Sequence, residues 1–280
     1  MVISNRVNQN SGSVIIEYLR IKTTKQVYKS VPTIKILGYN LFAGTLEFYS
    51  NGFTGVVNCI NPHSHVVAVK DSVFMEALRN SDYLVADGVG IQIASIIIAG
   101  RKVEKITGSD LHRLLLESLA EKNGRCYYLG STEAVLSKIK ERAYSEFPSV
   151  QTGLYSPPYK NEFSRDETMA MINIVNDFAP DVLFVGMTAP KQEKWVHENR
   201  HLIKAPVICS IGAVFDFYAG TVKRPGKFWI SLGLEWLPRL LREPGRLWRR
   251  TLISTPLFLW LVLKEKFRML RGRERGSEEE

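Results

Sequence analysis

Two aspartates stand where α/β enzymes place polar groups that do chemistry, at the ends of predicted buried strands. Asp87 belongs to the run 83–88 and precedes a Gly-Val-Gly sequence, while Asp216 lies between Phe215 and Phe217. A carboxylate at a strand end can act as a general base that takes a proton from an attacking hydroxyl. Asp87 could equally be a turn residue that caps the next helix. Asp216 suits either a base-binding or ribose-binding pocket or the edge of a core.

Small and polar residues recur at the ends of the other predicted strands. They are Asn58, Cys59 and Asn61, then Gly130 and Ser131, then Gly186 to Gln192, and finally Gly212. Small residues let a ligand approach backbone N–H groups and helix N-termini closely, which is how α/β proteins hold a nucleotide diphosphate. The sequence DGVG (87–90) is not a dinucleotide fingerprint, because no GxGxxG follows the first predicted strand.

Metal chemistry is not indicated. No DxD-type pair of carboxylates stands at a strand end to hold a divalent ion under a diphosphate. His63 and His65 lie in a PHSH sequence without a third ligand, and we interpret them as surface histidines. Arginines and helix dipoles must then neutralise any bound phosphate, and we expect neither a metal nor another cofactor.

The elements that position these groups alternate between strand and helix. Short, continuous apolar runs are typical of parallel strands that are buried on both faces. They predict strands at 34–40, 55–60, 83–88, 126–130, 150–155, 181–187 and 207–212. Helices are predicted between them, at 65–80, 90–99, 110–122, 133–147, 165–178 and 191–200. This alternation predicts an α/β domain with a mostly parallel sheet.

The last sixty residues carry most of the net charge. Residues 221–280 contain 14 Lys and Arg against 7 Asp and Glu, a net charge of +7, and the whole chain carries +9. Four of the five tryptophans lie in the same segment. A basic segment rich in Trp and Leu favours an anionic membrane surface as its partner. Nucleic acid is the alternative, but the Leu, Ile and Phe neighbours suit lipid better than stacked bases.

Composition and apolar runs define the expected organisation and location. We predict a polar N-terminal segment (1–30), a catalytic domain (31–220) and a basic C-terminal appendage (221–280). The longest apolar run, 256–263, falls short of the roughly 20 residues that a spanning helix needs. The N-terminus shows no apolar segment of a signal peptide. The three cysteines are expected to be buried, reduced thiols. These features predict a cytoplasmic protein that lies on a membrane without crossing it.

Five sequence blocks resemble the WecG/TagA/CpsF family of bacterial glycosyltransferases. They are VADGVG (85–90), KITGSDL (105–111), PDVLFVGMTAPKQEKW (180–195), GAVFDFYAGTVKRP (212–225) and LGLEWLPRLLREPGRLWRR (232–250). The resemblance runs from about residue 31 to about residue 268. It implies a Rossmann-like α/β domain, in which helices cover both faces of a mostly parallel sheet, and a C-terminal helical appendage that docks on the membrane.

The resemblance also implies an activity. It is the inverting, metal-independent transfer of a sugar from a UDP-sugar donor to a polyprenyl-diphosphate-linked acceptor, in the synthesis of bacterial cell-surface polysaccharide. The sugar would be of the N-acetylhexosamine or uronic acid type, and the enzyme would be peripheral on the cytoplasmic face of the membrane. The alternatives are a soluble nucleotide-sugar enzyme, whose tail attaches it to other subunits, and a nucleic-acid-binding protein. A homo-oligomer is compatible with all of these functions.

Roles for individual residues follow from the same resemblance. Asp87 would be the general base, Gln192 would contact the transferred sugar, and Asp216 would hold the uridine. Three arginines of the appendage would reach back to the diphosphate: Arg239, Arg246 and Arg249. Folding the appendage over the cleft would then complete the site, and truncation after about residue 221 would leave a soluble, inactive domain. Because Pro244-Gly245 interrupts this segment, we expect two short helices with a bend.

Two positions depart from the family pattern near the expected sugar pocket. Cys59 stands two residues before Asn61, where the family often has Thr, and Lys105 stands where the family often has Arg. A thiol is a weaker hydrogen-bond donor than a hydroxyl, and Lys cannot make a bidentate contact. We therefore expect Cys59, Asn61 and Lys105 to bind substrate and to bear on the choice of donor sugar.

Overall fold

The structure is a computed structural model that describes residues 31–223, 225–226, 228–229, 236–242 and 244–277. The predicted N-terminal segment 1–30 lies outside the described residues. Side chains are described throughout these ranges except those of a few residues, namely Ser50, Asn51, Arg239, Arg242, Arg246 and residues 272–277. The described residues from Thr33 onward belong to one compact unit.

Eight strands form one sheet in the described part of the chain. They are β1 (Thr33–Ile36), β2 (Tyr39–Phe42), β3 (Gly55–Ile60), β4 (Tyr83–Ala86), β5 (Arg125–Gly130), β6 (Gln151–Tyr155), β7 (Val182–Gly186) and β8 (Val207–Ser210). Their order across the sheet is β1-β2-β4-β3-β8-β7-β5-β6. Only β1 and β2 pair antiparallel, and every other pair of neighbours is parallel. The prediction of a mostly parallel sheet is confirmed.

The described helices follow the strands in the predicted alternation. They are α1 (Pro62–Ala68), α2 (Ser72–Arg79), α3 (Val89–Ala99), α4 (Gly108–Glu121), α5 (Glu133–Glu146), α6 (Arg165–Phe178), α7 (Lys191–Asn199), α8 (Gly212–Tyr218), α9 (Trp236–Arg242), α10 (Pro244–Trp248) and α11 (Thr255–Ser277). A 3-10 helix (Leu46–Asn51) precedes β3, and a π-helix (Arg249–Ser254) joins α10 to α11. The two short helices expected around Pro244 are present as α9 and α10.

Helices cover both faces of the sheet. Side chains of successive strand residues point to opposite faces, so apolar residues in a row need a packing partner on each side. On one face, Ile60 packs in a core with α1, α2 and α3, and Leu183 packs in a core with α6 and α7. On the other face, the ring of Tyr128 contacts His112 of α4 and Phe215 of α8. The strands are therefore buried on both sides, which is why they read as continuous apolar runs.

Two predicted elements were wrong because a turn or a break was overlooked. The predicted strand 34–40 is the hairpin β1-β2, whose turn residues Leu37 and Gly38 have φ of 51° and 79°. Two successive positive φ values suit a two-residue hairpin turn. The predicted helix 65–80 is two helices, since Asp71 caps α2 by accepting a hydrogen bond from the Phe74 N–H at 3.0 Å. The short helix α8 was not predicted.

The C-terminal helix α11 contributes to the main core. It packs against α3 and α1, and the side chains of Phe258 and Val262 are 0% exposed. Ser254, the last residue of the preceding π-helix, is also buried, so the buried positions 254, 258 and 262 follow one another at intervals of four residues. Burial of each apolar side chain contributes roughly 1.5–3 kcal/mol. Truncation after residue 221 would therefore expose part of the core as well as remove the appendage.

We expect Phe258→Ala to lower the free energy of unfolding by about 3–5 kcal/mol, because it leaves a cavity between α11 and the core. Phe267→Ala is the matched control, since this residue lies on the same helix and is 64% exposed. It should change the free energy of unfolding by no more than about 0.5 kcal/mol. Urea unfolding of both variants measures the difference. Equal losses would show that α11 is not anchored through Phe258.

Candidate functional site

Asp87 stands at the carboxyl end of the sheet, as predicted. It follows β4 directly, and its backbone N–H donates to the carbonyl oxygen of Ile60, the last residue of β3, at 2.9 Å. The next residue, Gly88, has a φ of 95°, a conformation that a side chain would strain. Gly88 is also the N-cap of α3, so the capping position that we considered for Asp87 belongs to its neighbour. Asp87 is half-buried.

Asn61 lies beside Asp87 at the start of α1. The N-termini of α1 and α3 are in close contact, because a Cβ placed on Gly90 would lie 2.4 Å from Cγ of Pro62. Asn61 is the N-cap of α1: its Oδ1 accepts from the Ser64 N–H at 3.0 Å, and its own N–H donates to Ser64 Oγ at 2.7 Å. The side-chain oxygen of Asn61 is thus engaged in this capping box. The substrate contact expected of Asn61 stays a prediction.

Cys59 lies on β3, directly beside β4, the strand that Asp87 follows. It is paired in register with Val85 of β4. Burial raises the pKa of the Cys59 thiol well above its ordinary value, and the nearby carboxylates of Asp87 and Glu193 raise it further. The thiol is therefore neutral at physiological pH and is no nucleophile. It remains a weak hydrogen-bond donor at the expected sugar pocket.

Gln192 is held firmly at the start of α7. Its Oε1 accepts from the Gly212 N–H at 3.2 Å, and its Nε2 donates to Oε1 of Glu193 at 2.8 Å. A Cβ on Gly212 would lie 2.6 Å from this Oε1, so a larger residue there would displace the amide from its present position. Both Gln192 and Glu193 are buried. The side-chain amide is thus fixed between the end of β8 and a carboxyl group.

Glu193 is a candidate site residue that we did not predict from the sequence. Burial raises the pKa of its carboxyl from 4.5 to about 7, although the hydrogen bond from Gln192 and its own backbone N–H lower it in part. In the sequence it looks like an ordinary acidic residue in the first turn of a helix. Its only sequence signal is its place next to Gln192 in the PKQE sequence.

Lys105 lies in the segment that connects α3 to α4. The next residue, Ile106, donates its N–H to the carbonyl oxygen of Ala86 at 3.0 Å, so this segment runs beside the end of β4. Lys105 lines a cavity of about 430 Å³ together with Arg101, Lys102 and one carboxylate, Glu104. The surroundings of Lys105 are thus cationic overall, which suits an anionic ligand.

Asp216 lies in α8, on the helix that follows β8. It is half-buried, and its backbone and carboxylate oxygens accept from Thr221 Oγ1 at 3.1 and 3.4 Å. Its neighbour Phe215 is fully buried, and its ring contacts that of Tyr128. Phe215 therefore belongs to the core, as one of our two interpretations had it. The uridine contact expected of Asp216 stays a prediction.

The predicted arginines follow one another along the C-terminal helices. Arg239 lies on α9 and Arg246 on α10, and the side chains of both lie outside the described part of the structure. Arg249 begins the π-helix, with its guanidinium 5.4 Å from the ring centroid of Trp248. This π-helix is attached to α1 through a 2.9 Å hydrogen bond between Ser254 Oγ and His63 Nδ1. The C-terminal segment thus passes close to the helix that Asn61 caps.

The interpretation of both histidines as surface residues was wrong for His65. Its side chain is buried and its Nδ1 lies 3.1 Å from the hydroxyl oxygen of Tyr39. Burial lowers the pKa of His65 to about 4, so the ring is neutral at physiological pH. The pattern failed because His65 lies on the face of α1 that packs on the sheet. Within the described ranges, no three His, Cys, Asp or Glu side chains are grouped so that they could hold a metal ion.

The strand order changes direction at this same carboxyl edge. After β5 the chain turns to β6 on one side, and after β7 it turns to β8 on the other side. Ligands of open α/β sheets bind where connections diverge in this way, beyond the carboxyl ends of the strands. The strands end there in Gly130 and Gly186, which are paired in register. The structure is thus an α/β fold with a topological switch point at its carboxyl edge, where folds of this class bind their ligands.

Comparison with known protein families identifies the class of protein more closely. Residues 33–272 match the Glycosyl transferase WecG/TagA/CpsF family, and the chain belongs to that family. The chain is thus a glycosyltransferase, and the resemblance noted in the sequence is confirmed.

Curated relatives carry a more detailed name. A Bacillus subtilis (strain 168) protein is 32% identical over 211 residues, which cover 75% of this chain and 80% of the relative. A Staphylococcus aureus (strain MW2) protein is 25% identical over 228 residues, which cover 81% and 87% respectively. Both are named N-acetylglucosaminyldiphosphoundecaprenol N-acetyl-beta-D-mannosaminyltransferase.

The raised pKa of Glu193 predicts a pH dependence of stability. A carboxyl whose pKa is higher in the folded than in the unfolded chain contributes stability below pH 4.5, and this contribution is lost as the pH rises through 7. From pH 5 to pH 8, wild-type protein should lose up to about 3 kcal/mol of unfolding free energy relative to Glu193→Gln. Urea unfolding at both pH values measures this loss. Glu198→Gln, an exposed position on the same helix, should behave as wild type. Parallel pH profiles for wild type and Glu193→Gln would contradict the assignment.

Proposed function

We propose that the chain transfers an N-acetylhexosamine from a UDP-sugar to the sugar of a polyprenyl-diphosphate-linked acceptor. The names of the relatives support N-acetylmannosamine as the transferred sugar and N-acetylglucosaminyl-diphosphoundecaprenol as the acceptor. They favour this sugar over the uronic acid that the sequence left open. The proposed transfer inverts the anomeric centre, needs no metal ion and serves the synthesis of a cell-surface polysaccharide.

The placement of Asp87 is the observation that carries this proposal. Inversion needs one in-line displacement, in which a base takes the proton of the acceptor hydroxyl on the face opposite to the leaving UDP. Asp87 is held at the end of β3 through its backbone N–H and stands at the carboxyl edge of the sheet, where α/β folds bind ligands. A positioned carboxylate of this kind contributes roughly 10²–10⁴-fold to the rate.

The departing UDP must be stabilised as negative charge develops on its diphosphate. Without a metal ion, this falls to cationic side chains that bind the transition state more tightly than the ground state. Our candidates are Arg239, Arg246 and Arg249. They lie on α9, α10 and the π-helix, and the last of these is joined to α1 by the hydrogen bond between Ser254 and His63. Gln192 is the candidate for contact with the transferred sugar, and Asp216 for contact with the uridine.

The proposed reaction is tested by incubation with a panel of UDP-sugars and a polyprenyl-diphosphate-linked N-acetylglucosamine, in the presence of EDTA. We expect transfer from UDP-N-acetylmannosamine with an inverted anomeric centre in the product. Asp87→Asn should lower turnover by about 10²–10⁴-fold, while the melting temperature and UDP binding stay close to wild type.

Asp82→Asn is a control, because this carboxylate lies at the opposite end of β4 and pairs with Arg200. Asp82→Asn should lower the melting temperature and leave turnover unchanged. Near-normal turnover of Asp87→Asn would exclude this residue as the base. Inactivity with EDTA that Mg²⁺ restores would exclude the metal-independent mechanism.

We also propose that α11 holds the enzyme on the cytoplasmic face of the membrane, where nucleotide sugars are made. Its outer side carries a second apolar stripe, spaced by 3, 4 and 3 residues: Trp260, Leu263, Phe267 and Leu270, which are 55%, 47%, 64% and 43% exposed. Cationic side chains flank this stripe at Lys264, Lys266, Arg268 and Arg271. An apolar stripe flanked by cations fits an anionic lipid surface. No described helix is long and apolar enough to span the bilayer.

Vesicles of phosphatidylglycerol and phosphatidylethanolamine should therefore capture the protein in a flotation assay, and less of it at high salt. The double variant Trp260→Ala/Phe267→Ala should lose most of this binding, because it removes the largest side chains of the stripe. Tyr144→Ala/Tyr159→Ala removes two exposed aromatic rings elsewhere and should bind as wild type. Unchanged flotation of the first variant, with a change in its oligomeric state, would instead assign the stripe to contact between copies of this chain.

A further inference from the structure

The carboxyl group of Glu193 is buried in an unusual way. It is 4% exposed, and its Oε1 accepts the hydrogen bond from Gln192, whereas its Oε2 is buried without a partner among the described residues. Burial of a carboxyl group with half of its hydrogen-bonding capacity unused costs free energy. A structural role would have to offset this cost.

The usual structural role of this position does not apply. Glu193 is the third residue of α7, and a glutamate there ordinarily reaches back to the N–H of the N-cap residue. The N-cap of α7 is Pro190, which has no N–H to donate. Glu193 instead meets the side chain of Gln192, its neighbour in the chain. The carboxyl is therefore not explained as a helix cap.

The contact with Gln192 determines which way its amide points. An amide side chain offers one acceptor oxygen and two N–H donors. Gly212 donates to the oxygen and Glu193 accepts from the nitrogen, so a flipped amide would set donor against donor and acceptor against acceptor. This leaves the second N–H of Nε2 in one defined direction. Without Glu193, only the weaker 3.2 Å bond from Gly212 would select between the two orientations.

We infer that Glu193 is a positioning residue of the active site, which orients the Gln192 amide so that its second N–H meets the transferred sugar. This inference rests on the proposed function, because Gln192 contacts the sugar only if the reaction is the one proposed. It adds to that proposal a residue that touches no substrate. Its effect on catalysis passes through Gln192 alone.

Glu193 and Asp87 both act electrostatically on Cys59, so two carboxyl groups lie near this part of the candidate site. Burial raises the pKa values of Cys59 on β3 and Cys209 on β8, so both thiols stay neutral. Asp71 of α2 pairs with Lys194 of α7 at 3.1 Å, and the pKa of Asp71 is lowered by the N–H of Phe74. Asp87 is the other carboxylate whose charge raises the pKa of Cys59. Ionised Glu193 is the stronger acceptor for the Gln192 amide, since a charged acceptor strengthens a hydrogen bond.

A double-mutant cycle in the full-length chain tests this inference. Glu193→Leu should lower kcat/KM for the UDP-sugar by about 10- to 100-fold, as expected for a misplaced contact group. Gln192→Ala should cause a loss of similar size. The double variant should then be no slower than Gln192→Ala alone, because Glu193 has nothing left to position. Glu198→Leu, on the exposed side of the same helix, should leave kcat/KM unchanged.

Glu193→Gln gives a second, conservative test that does not depend on the stability of the leucine variant. It keeps an acceptor oxygen for Gln192 and should retain most of the activity. It should also remove an ionisation with a midpoint near pH 7, above which the kcat/KM of wild type is higher. Losses that multiply in the double variant, or a pH profile of kcat/KM that Glu193→Gln leaves unchanged, would overturn the positioning role. Inactivity of wild type with every UDP-sugar would instead overturn the proposed function.

Discussion

The pairing of β3 with β4 is the interaction on which the rest of this structure depends. The two strands run in register to Ile60 and Ala86, and the N–H of Asp87 extends the ladder by one more hydrogen bond. Both helices that follow these strands start within two or three residues of the strand ends. Their N-termini therefore meet, with Pro62 against Gly90. Asp87 owes its place to these backbone contacts, which do not depend on its own side chain.

The C-terminal segment extends this arrangement outward. One face of α11 is buried through Phe258 and Val262 against α1 and α3, the two helices that start at the site. The other face carries exposed aromatic and cationic side chains. A single helix thus connects the core beneath the site to the surface that we assign to lipid. The proposed membrane contact would thus be linked to the geometry of the site through packing, because α11 cannot move without disturbing that core.

The polar groups at the carboxyl edge differ in what supports them. Asn61 is held by the cap of α1, and Gln192 is held by Gly212 and Glu193. The Ser64 N–H fixes the Asn61 oxygen, and the Gly212 N–H and the Glu193 carboxyl together fix the Gln192 amide. Such supports fix a side chain without a large network, since each donor has one acceptor. The buried carboxyl of Glu193 is the exception, and its raised pKa reflects the burial that its position requires.

The sequence by itself determined the strand–helix alternation, the place of Asp87 and the family. Continuous apolar runs report strands buried on both faces, and the residue after such a run must stand at the sheet edge. Local patterns missed features that depend on contacts distant in the chain. His65 is buried by Tyr39 and Phe258, and Glu193 lies on the buried face of α7. Only the tertiary structure decided these, because burial and pKa depend on neighbours that the chain brings together only on folding.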